Sequence, residues 1–139
     1  MDLVQINSMW EKDSKIDNTL LDEASIRIPQ LHQKYLTLHS EYTMLLKKKE
    51  QQVKLLKHKR SLYYSGRISD EEEEPFNFKL LKNEVPGWVE VDKIVQEAEL
   101  KREYYQTVLN TLSEILKQVH QMSYNIKNII EWRRFTYGV

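Results

Sequence analysis

The sequence predicts an all-α protein, with an N-terminal helical head and a long C-terminal amphipathic helix that forms an oligomeric coiled-coil or bundle stem. Only 3 Gly and 3 Pro occur in 139 residues, so few positions interrupt a helix. Apolar residues recur at steps of three and four through most of the second half of the chain. Charged residues make up 30% and apolar residues 40% of the chain, which is typical of a helix-rich soluble protein.

The composition indicates the cellular compartment of the protein and excludes some kinds of chemistry. No run of 18 apolar residues is present, so we expect no membrane-spanning helix, and the acidic N-terminus does not resemble a secretory signal. The absence of Cys excludes disulfides and thiolate chemistry and suits a reducing cytoplasm. We therefore expect a cytoplasmic protein.

The first elements are short. Residues 3–13 form a weakly amphipathic segment, and Asp17 or Asn18 is the predicted N-cap of a following helix. Pro29 marks either a kink or a new first turn. From residue 30 to about 64 nothing breaks a helix, and Gly66 is the predicted left-handed cap at its end.

A connector is predicted over residues 66–90. It contains the acidic run Asp70 to Glu74, which either folds back on the basic segment before it or docks on a basic partner. Pro86-Gly87 suits the central positions of a type II turn. The predicted organisation is thus a head over residues 1–90, with a basic helix at about 30–65, followed by an oligomerisation helix over residues 91–139.

The second long helix is predicted to start near Asp92 as its N-cap and to end near Arg134. Its apolar positions alternate in steps of three and four, as in a heptad seam. Additional apolar residues widen this stripe beyond what two helices are expected to cover, which favours association between copies. The predicted oligomerisation residues are Tyr105, Val108, Leu112, Ile115, Val119, Met122, Ile126 and Ile129.

Charge is strongly segregated although the formal net charge is zero. Residues 47–67 carry a net charge of +7 and end with two tyrosines, whereas residues 68–74 carry −5. Clustered cations attract a phosphate backbone and an aromatic ring can stack on a base, which are the requirements of single-stranded nucleic-acid binding. The predicted contact residues are Lys54, Lys57, His58, Lys59, Arg60, Tyr64 and Arg67.

Within this segment, helical spacing places Lys57, Arg60, Tyr64 and Arg67 on one face, and Lys47, Lys54 and His58 on an adjacent face. On the same helix, Tyr63 continues an apolar stripe that includes Tyr42 and Leu56, so it is expected to pack inward and Tyr64 is the better candidate for contact. Two other interpretations remain open. The protein is alternatively a structural coiled-coil adaptor with a solvated basic face, or a binder of double-stranded nucleic acid, including RNA.

An enzymatic function has little support in the sequence. The four histidines, at 32, 39, 58 and 120, lack carboxylates at metal-ligand spacing, and no glycine-rich phosphate loop is present. No serine stands in the context of a nucleophile. We expect no catalytic residues, no metal and no cofactor.

Several motifs resemble the UvsY family of phage recombination mediators, over nearly the whole chain. The most specific is Leu62-Tyr63-Tyr64-Ser65-Gly66-Arg67 after a lysine-rich helix. The other matching elements are Ile16-Asp17-Asn18-Thr19, Lys34-Tyr35-Leu36, His39-Ser40, and Tyr124, Ile126-Lys127, Ile129, Arg133 or Arg134, Phe135 and Gly138.

This resemblance implies a protein without catalytic activity that binds single-stranded DNA. It implies contacts with a RecA-like phage recombinase of the UvsX type and with the phage single-stranded-DNA-binding protein. A mediator of this kind promotes loading of the recombinase on DNA covered by that protein, as a hexameric or heptameric ring with a C-terminal helical stem. The family's DNA-binding residues map onto His58 and Arg60, and His58 stands where the family has lysine. A free imidazole is mostly neutral near pH 7, so Lys57 and Lys59 are expected to compensate.

Overall fold

A computed structural model describes residues 1–67 and 75–138. It contains four α-helices in these ranges, α1 (Leu3–Asp13), α2 (Leu21–Tyr64), α3 (Val85–Glu90) and α4 (Lys93–Tyr137), and no strand within them. The all-α prediction is therefore confirmed. None of the described helices has a stretch that is both long and apolar enough to cross a membrane.

Helix α1 begins with a capping box. The Asp2 carboxylate accepts a hydrogen bond from the Gln5 amide at 2.8 Å, and the Gln5 side chain accepts one from the Asp2 amide at 2.9 Å. This exchange satisfies N–H groups that a helix start leaves without intrahelical partners. Ile6 is fully buried, so α1 packs by its apolar side.

Helix α2 begins later than the sequence predicted. The Asp17 carboxylate accepts bonds from the Thr19 amide at 2.9 Å and from the Thr19 hydroxyl at 2.6 Å, within a turn that precedes the helix. The cap prediction at residues 17–18 was therefore wrong, because Asp17 bonds to its own turn. Helix α2 then continues through Pro29 without a new start.

The end of α2 agrees with the predicted glycine cap. Gly66 has φ of 76°, its amide bonds to the Tyr63 carbonyl at 3.1 Å, and the Arg67 amide bonds to the Leu62 carbonyl at 3.0 Å. This pair of bonds is a Schellman motif, which needs a left-handed residue that glycine adopts without strain.

The predicted type II turn at Pro86-Gly87 was wrong. Both residues lie inside α3, with Pro86 in its first turn, and Gly87 is not among the glycines with positive φ. A type II turn needs positive φ at its third residue, whereas proline is well tolerated at a helix start. A Pro-Gly pair is compatible with a type II turn and with the first turn of a helix, and here it forms the start of α3.

The chain divides into two compact units, and both long helices contribute to each. One unit comprises Met1–Thr43 and Thr107–Val139, and the other comprises Met44–Gln106. The first unit is built on apolar side chains of α1, α2 and α4. Its buried members are Ile6, Ala24, Leu31, Tyr35, Tyr42, Val108, Leu109, Leu112, Ile115, Val119, Met122 and Ile126.

The second unit has a smaller apolar core. Val85, Val89 and Val95 form a buried cluster, against which Tyr64 and Leu80 pack. This cluster joins the end of α2, helix α3 and the start of α4. The division into a head over residues 1–90 and an oligomerisation helix over residues 91–139 concerns assembly and stays a prediction.

Candidate nucleic-acid interface

The seven predicted contact residues separate into exposed and inward-facing groups. Lys54, Lys57, His58, Lys59 and Arg67 are exposed, whereas Tyr64 is half-buried and Arg60 is only 7% exposed. Lys47 and Lys48 on the same helix are exposed as well. We call the exposed basic side chains in this part of α2 the basic strip. Its members are Lys47, Lys48, Lys54, Lys57, His58 and Lys59.

The solvent-facing side of α2 differs from the face that the sequence favoured. Val53 and Arg60, seven residues apart, are both buried and define the inward side of the helix. Lys47, Lys54 and His58 are spaced by seven and four, so they share one side of the helix, and all three are exposed. From the sequence, these three residues were predicted to lie on a face adjacent to the expected contact face. In the structure they form the centre of the basic strip.

Arg60 faces inward because it has a buried partner. Its Nε donates to Oδ2 of Asp92 at 2.8 Å, and both side chains are more than nine-tenths buried. The guanidinium carbon also lies 4.3 Å from the centre of the Tyr63 ring. A cation held over an aromatic face is favoured by the ring quadrupole. Arg60 therefore joins α2 to the residue that begins α4.

Asp92 is both the ion-pair partner and the N-cap of α4. Its Oδ1 accepts from the amides of Ile94 at 2.9 Å and Val95 at 3.1 Å, which confirms the predicted cap. Its Oδ2 also accepts from the Tyr64 hydroxyl at 2.6 Å. Burial by itself raises the pKa of the Asp92 carboxyl, but the bonds from Tyr64, Val95 and Arg60 outweigh burial and hold that pKa below its usual range.

Tyr64 has a structural role in this arrangement. Burial, followed by its hydrogen bond to Asp92, raises the pKa of its hydroxyl, so the phenol stays protonated and keeps donating. Its ring centre lies 5.0 Å from that of Phe76 and 5.8 Å from that of Trp88. The ring is thus enclosed by the connector and α3, and its capacity to stack on a base is limited.

Lys57 lies at the edge of the basic strip and forms an ion pair. Its Nζ is 2.7 Å from Glu99 of α4, with its side chain 48% exposed. The hydrogen bond from Lys57 is the main reason that the pKa of the Glu99 carboxyl is lowered. An exposed pair of this kind contributes little stability, so the lysine can exchange its partner for a phosphate at small cost.

The predicted oligomerisation residues are largely buried within a single chain. Six of the eight are 0–5% exposed, and only Tyr105 and Ile129 are half-buried. Most of this stripe is therefore buried within one chain, in a core to which α1, α2 and α4 all contribute, while Ile130, which widens the stripe, is 40% exposed. The role of the eight residues in contacts between copies stays a prediction. Three of the exposed large apolar side chains are aromatic residues near the end of α4, Trp132, Phe135 and Tyr137.

Two further sequence features concern acidic side chains and metal binding. The acidic run Asp70 to Glu74 lies outside the described residues. Within residues 1–67 and 75–138, no three His, Cys, Asp or Glu side chains gather in an arrangement that holds a metal ion. The described surface offers clustered positive charge on α2 and, at the end of that helix, a cluster of contacting rings. We call these rings the aromatic cluster, and its members are Tyr63, Tyr64, Phe76, Phe78 and Trp88.

Comparisons with known proteins agree on one family. Residues 9–139 match the family described as recombination, repair and ssDNA binding protein UvsY. A similar curated protein is the recombination protein uvsY of Enterobacteria phage T4, with 28% identity over 138 residues, 99% of each chain.

Two solved structures of the bacteriophage T4 recombination mediator protein UvsY are also similar. The lattice type II crystal structure matches with a TM-score of 0.87 and 27% identity, over 99% of this chain and 98% of that chain. The lattice type IV structure matches with a TM-score of 0.88 and 27% identity, over 97% of this chain and 99% of that chain.

Proposed function

The chain belongs to the UvsY family of recombination, repair and single-stranded-DNA-binding proteins, and from this premise we propose that it is a recombination mediator. It binds single-stranded DNA through the basic strip of α2. It promotes loading of a RecA-like recombinase on DNA covered by a single-stranded-DNA-binding protein. The observation that carries the DNA-binding part is the exposure of five lysines and His58 on one 13-residue stretch of α2.

The basic strip supports backbone binding without base specificity. Each lysine that neutralises a phosphate releases condensed counterions, so affinity is gained and depends steeply on salt. The inward position of Arg60 gives it a different role in this proposal. It holds α2 on Asp92 by its inward side, while the lysines of the basic strip are exposed. We therefore assign Arg60 and Tyr64 to positioning the interface and the exposed residues to contact.

Assembly into a ring of six or seven chains completes the proposal. One strip per chain is a weak site, but several strips on one particle raise the overall affinity through effective concentration. We place the contact between copies at the exposed apolar end of α4, which includes Trp132 and Phe135 at 67% and 79% exposure. Burial of such rings stabilises an interface between proteins.

The proposed mechanism hands a strand from one protein to another. The oligomer bends a single strand across several basic strips, which makes it a poorer substrate for the single-stranded-DNA-binding protein and a better one for the recombinase. Contacts with both proteins complete the transfer, in the cytoplasm of the host cell. Nucleotide hydrolysis belongs to the recombinase, and the mediator itself catalyses no reaction.

Two measurements test the proposed function. Titration of a fluorescent oligonucleotide should show binding to single-stranded DNA that is tighter than binding to duplex DNA and weakens as salt is raised. Filament assembly by the recombinase, on DNA already covered by the single-stranded-DNA-binding protein, should accelerate when the chain is added. Absence of binding at low salt would contradict the proposal and favour an adaptor, and equal affinity for duplex would favour a double-strand binder.

A further inference from the structure

The aromatic cluster beyond the end of α2 presents two rings to solvent. Phe78 is 68% exposed and Trp88 is 41% exposed. Their ring centres are 6.3 Å apart and their planes differ by only 29°. Single exposed apolar residues are normal on a protein surface, but adjoining exposed rings form a contiguous apolar patch, which marks a contact site more often. Their near-parallel planes present flat surfaces of the kind on which nucleic-acid bases stack.

The two rings have a firm support beneath them. Phe76 lies 5.7 Å from Phe78 and 5.4 Å from Trp88, measured between ring centres, and Tyr64 also contacts Phe76 and Trp88. Tyr64 is in turn fixed by its bond to Asp92. A ring that is held by its neighbours loses little conformational freedom when a ligand binds, and this favours affinity.

The cluster continues from the proposed DNA-binding surface. Tyr64 is the last residue of α2, the helix that carries the basic strip, and exposed Arg67 follows it directly after the glycine cap. Lys79 is adjacent to Phe78 in sequence, Lys82 lies in the turn before α3, and both are exposed. The Glu84 carboxylate in this region accepts a bond from the Leu81 amide at 3.1 Å. Exposed cations therefore lie close in sequence to the exposed rings.

We infer that Phe78 and Trp88 form a platform on which bases of single-stranded DNA stack, next to the phosphate-binding basic strip. This inference rests on the proposed function and adds base contacts to it. The sequence suggested Tyr64 as the stacking residue. In the structure Tyr64 supports the platform, and the exposed rings of the connector and α3 take the contact. Stacking of this kind accepts every base, since each base has a π-face.

The test compares two oligonucleotides of equal length, one with bases and one with an abasic sugar-phosphate backbone. Wild-type protein should bind the abasic strand more weakly than the strand with bases. Phe78→Leu keeps an apolar side chain without the ring, and it should weaken binding of the base-containing strand by at least about fivefold. It should leave binding of the abasic strand unchanged. Phe78→Tyr, which keeps the ring, should bind the base-containing strand with the affinity of wild type.

Leu81→Ala is the matched control, because Leu81 is 67% exposed in the same connector and carries no ring. It should bind both strands like wild type. The slope of affinity against salt should be the same for Phe78→Leu and wild type, since no phosphate contact is lost.

The outcomes separate the platform from the proposed function. If wild-type protein binds no single strand at low salt, the proposed function itself fails. If it binds and Phe78→Leu and Trp88→Leu both bind the base-containing strand like wild type, the platform alone is overturned. Unchanged DNA affinity together with lost recombinase loading would likewise overturn it and assign the two rings to contact with a protein.

Discussion

Arg60 Nε lies 2.8 Å from Asp92 Oδ2, and this buried ion pair lies on the inward side of α2. Asp92 also caps α4 and accepts the Tyr64 hydroxyl bond. One carboxylate thus fixes the end of the basic helix, the start of the next long helix and a tyrosine of the aromatic cluster. The DNA-binding surface that we propose depends on this arrangement without containing it.

Removing one member of the buried Arg60–Asp92 pair should strongly destabilise the fold. We expect Arg60→Ala to lower the free energy of unfolding by about 3–5 kcal/mol, because the Asp92 carboxylate would remain buried without its counter-charge. Lys57→Ala is the matched control, since its pair with Glu99 is partly exposed and should contribute about 0–1 kcal/mol. Urea denaturation followed by circular dichroism measures both. Equal, small losses would show that the Arg60–Asp92 pair contributes no more than a surface pair.

The same pair should make stability depend on acid pH. The pKa of Asp92 is lowered in the folded chain, so its stabilising contribution is complete above the unfolded value of about 4 and is lost as the pH falls through the folded pKa. The unfolded chain binds more protons in that range, so acid favours it. Urea midpoints measured at descending pH should fall for wild type and fall less steeply for Asp92→Asn.

Asp17→Asn serves as the control for this acid dependence. The pKa of the Asp17 carboxyl is also lowered, by bonds from the Thr19 hydroxyl and amide, but this group is fully exposed and screened by solvent. Its replacement should leave the pH profile close to that of wild type. A profile for Asp92→Asn that runs parallel to wild type would mean that other groups cause the acid sensitivity.

The heptad seam of α4 should behave as a core within each chain. Leu112 is 0% exposed, so Leu112→Ala should destabilise the fold by about 2–5 kcal/mol through lost burial and the cavity that remains. Leu100→Ala removes the same atoms at 71% exposure and should cost far less. Thermal unfolding at several protein concentrations measures the loss. If Leu112→Ala lowered particle mass while leaving the stability of each chain unchanged, the seam would belong to contacts between copies.

His58 offers a gain-of-affinity test of the basic strip. It shares the solvent-facing side of α2 with Lys47 and Lys54. We expect His58→Lys to tighten single-stranded DNA binding and to steepen the salt dependence by about 0.7 in log-log slope, since one more phosphate is neutralised. His58→Gln is the uncharged control. A lysine variant that binds like wild type would place His58 outside the DNA path.

Local signals in the sequence predicted much of the fold. Gly66 as a left-handed cap and Asp92 as an N-cap both follow from the chemistry of helix ends, which depends on a few neighbouring residues. The stepped apolar positions from Val108 to Ile126 predicted a buried stripe correctly. What covers that stripe is a tertiary question, and periodicity does not distinguish a partner within the chain from a second copy.

The candidate site was harder to predict for the same reason. Helical spacing placed Arg60 and Tyr64 with Lys57, but Asp92 lies 32 residues beyond Arg60 and its pairing cannot be read from local pattern. The charge of a residue does not show whether it is buried, so the sequence did not distinguish Arg60 from the exposed lysines of the same segment. The one available signal was the stripe of Tyr42 and Leu56, whose extension along the helix shows which side is inward.

The salt dependence of single-stranded DNA binding tests the central claim most directly. The claim is that the solvent-facing lysines of α2 bind phosphates. Lys47→Ala combined with Lys54→Ala should weaken binding and reduce the magnitude of the log-log salt slope by about 1.4, because two phosphate contacts are lost. Lys117→Ala combined with Lys127→Ala removes the same charge from exposed positions of α4 and should leave the slope unchanged. Equal slopes for the wild type and the α2 variant, or equal losses in both variants, would contradict the claim.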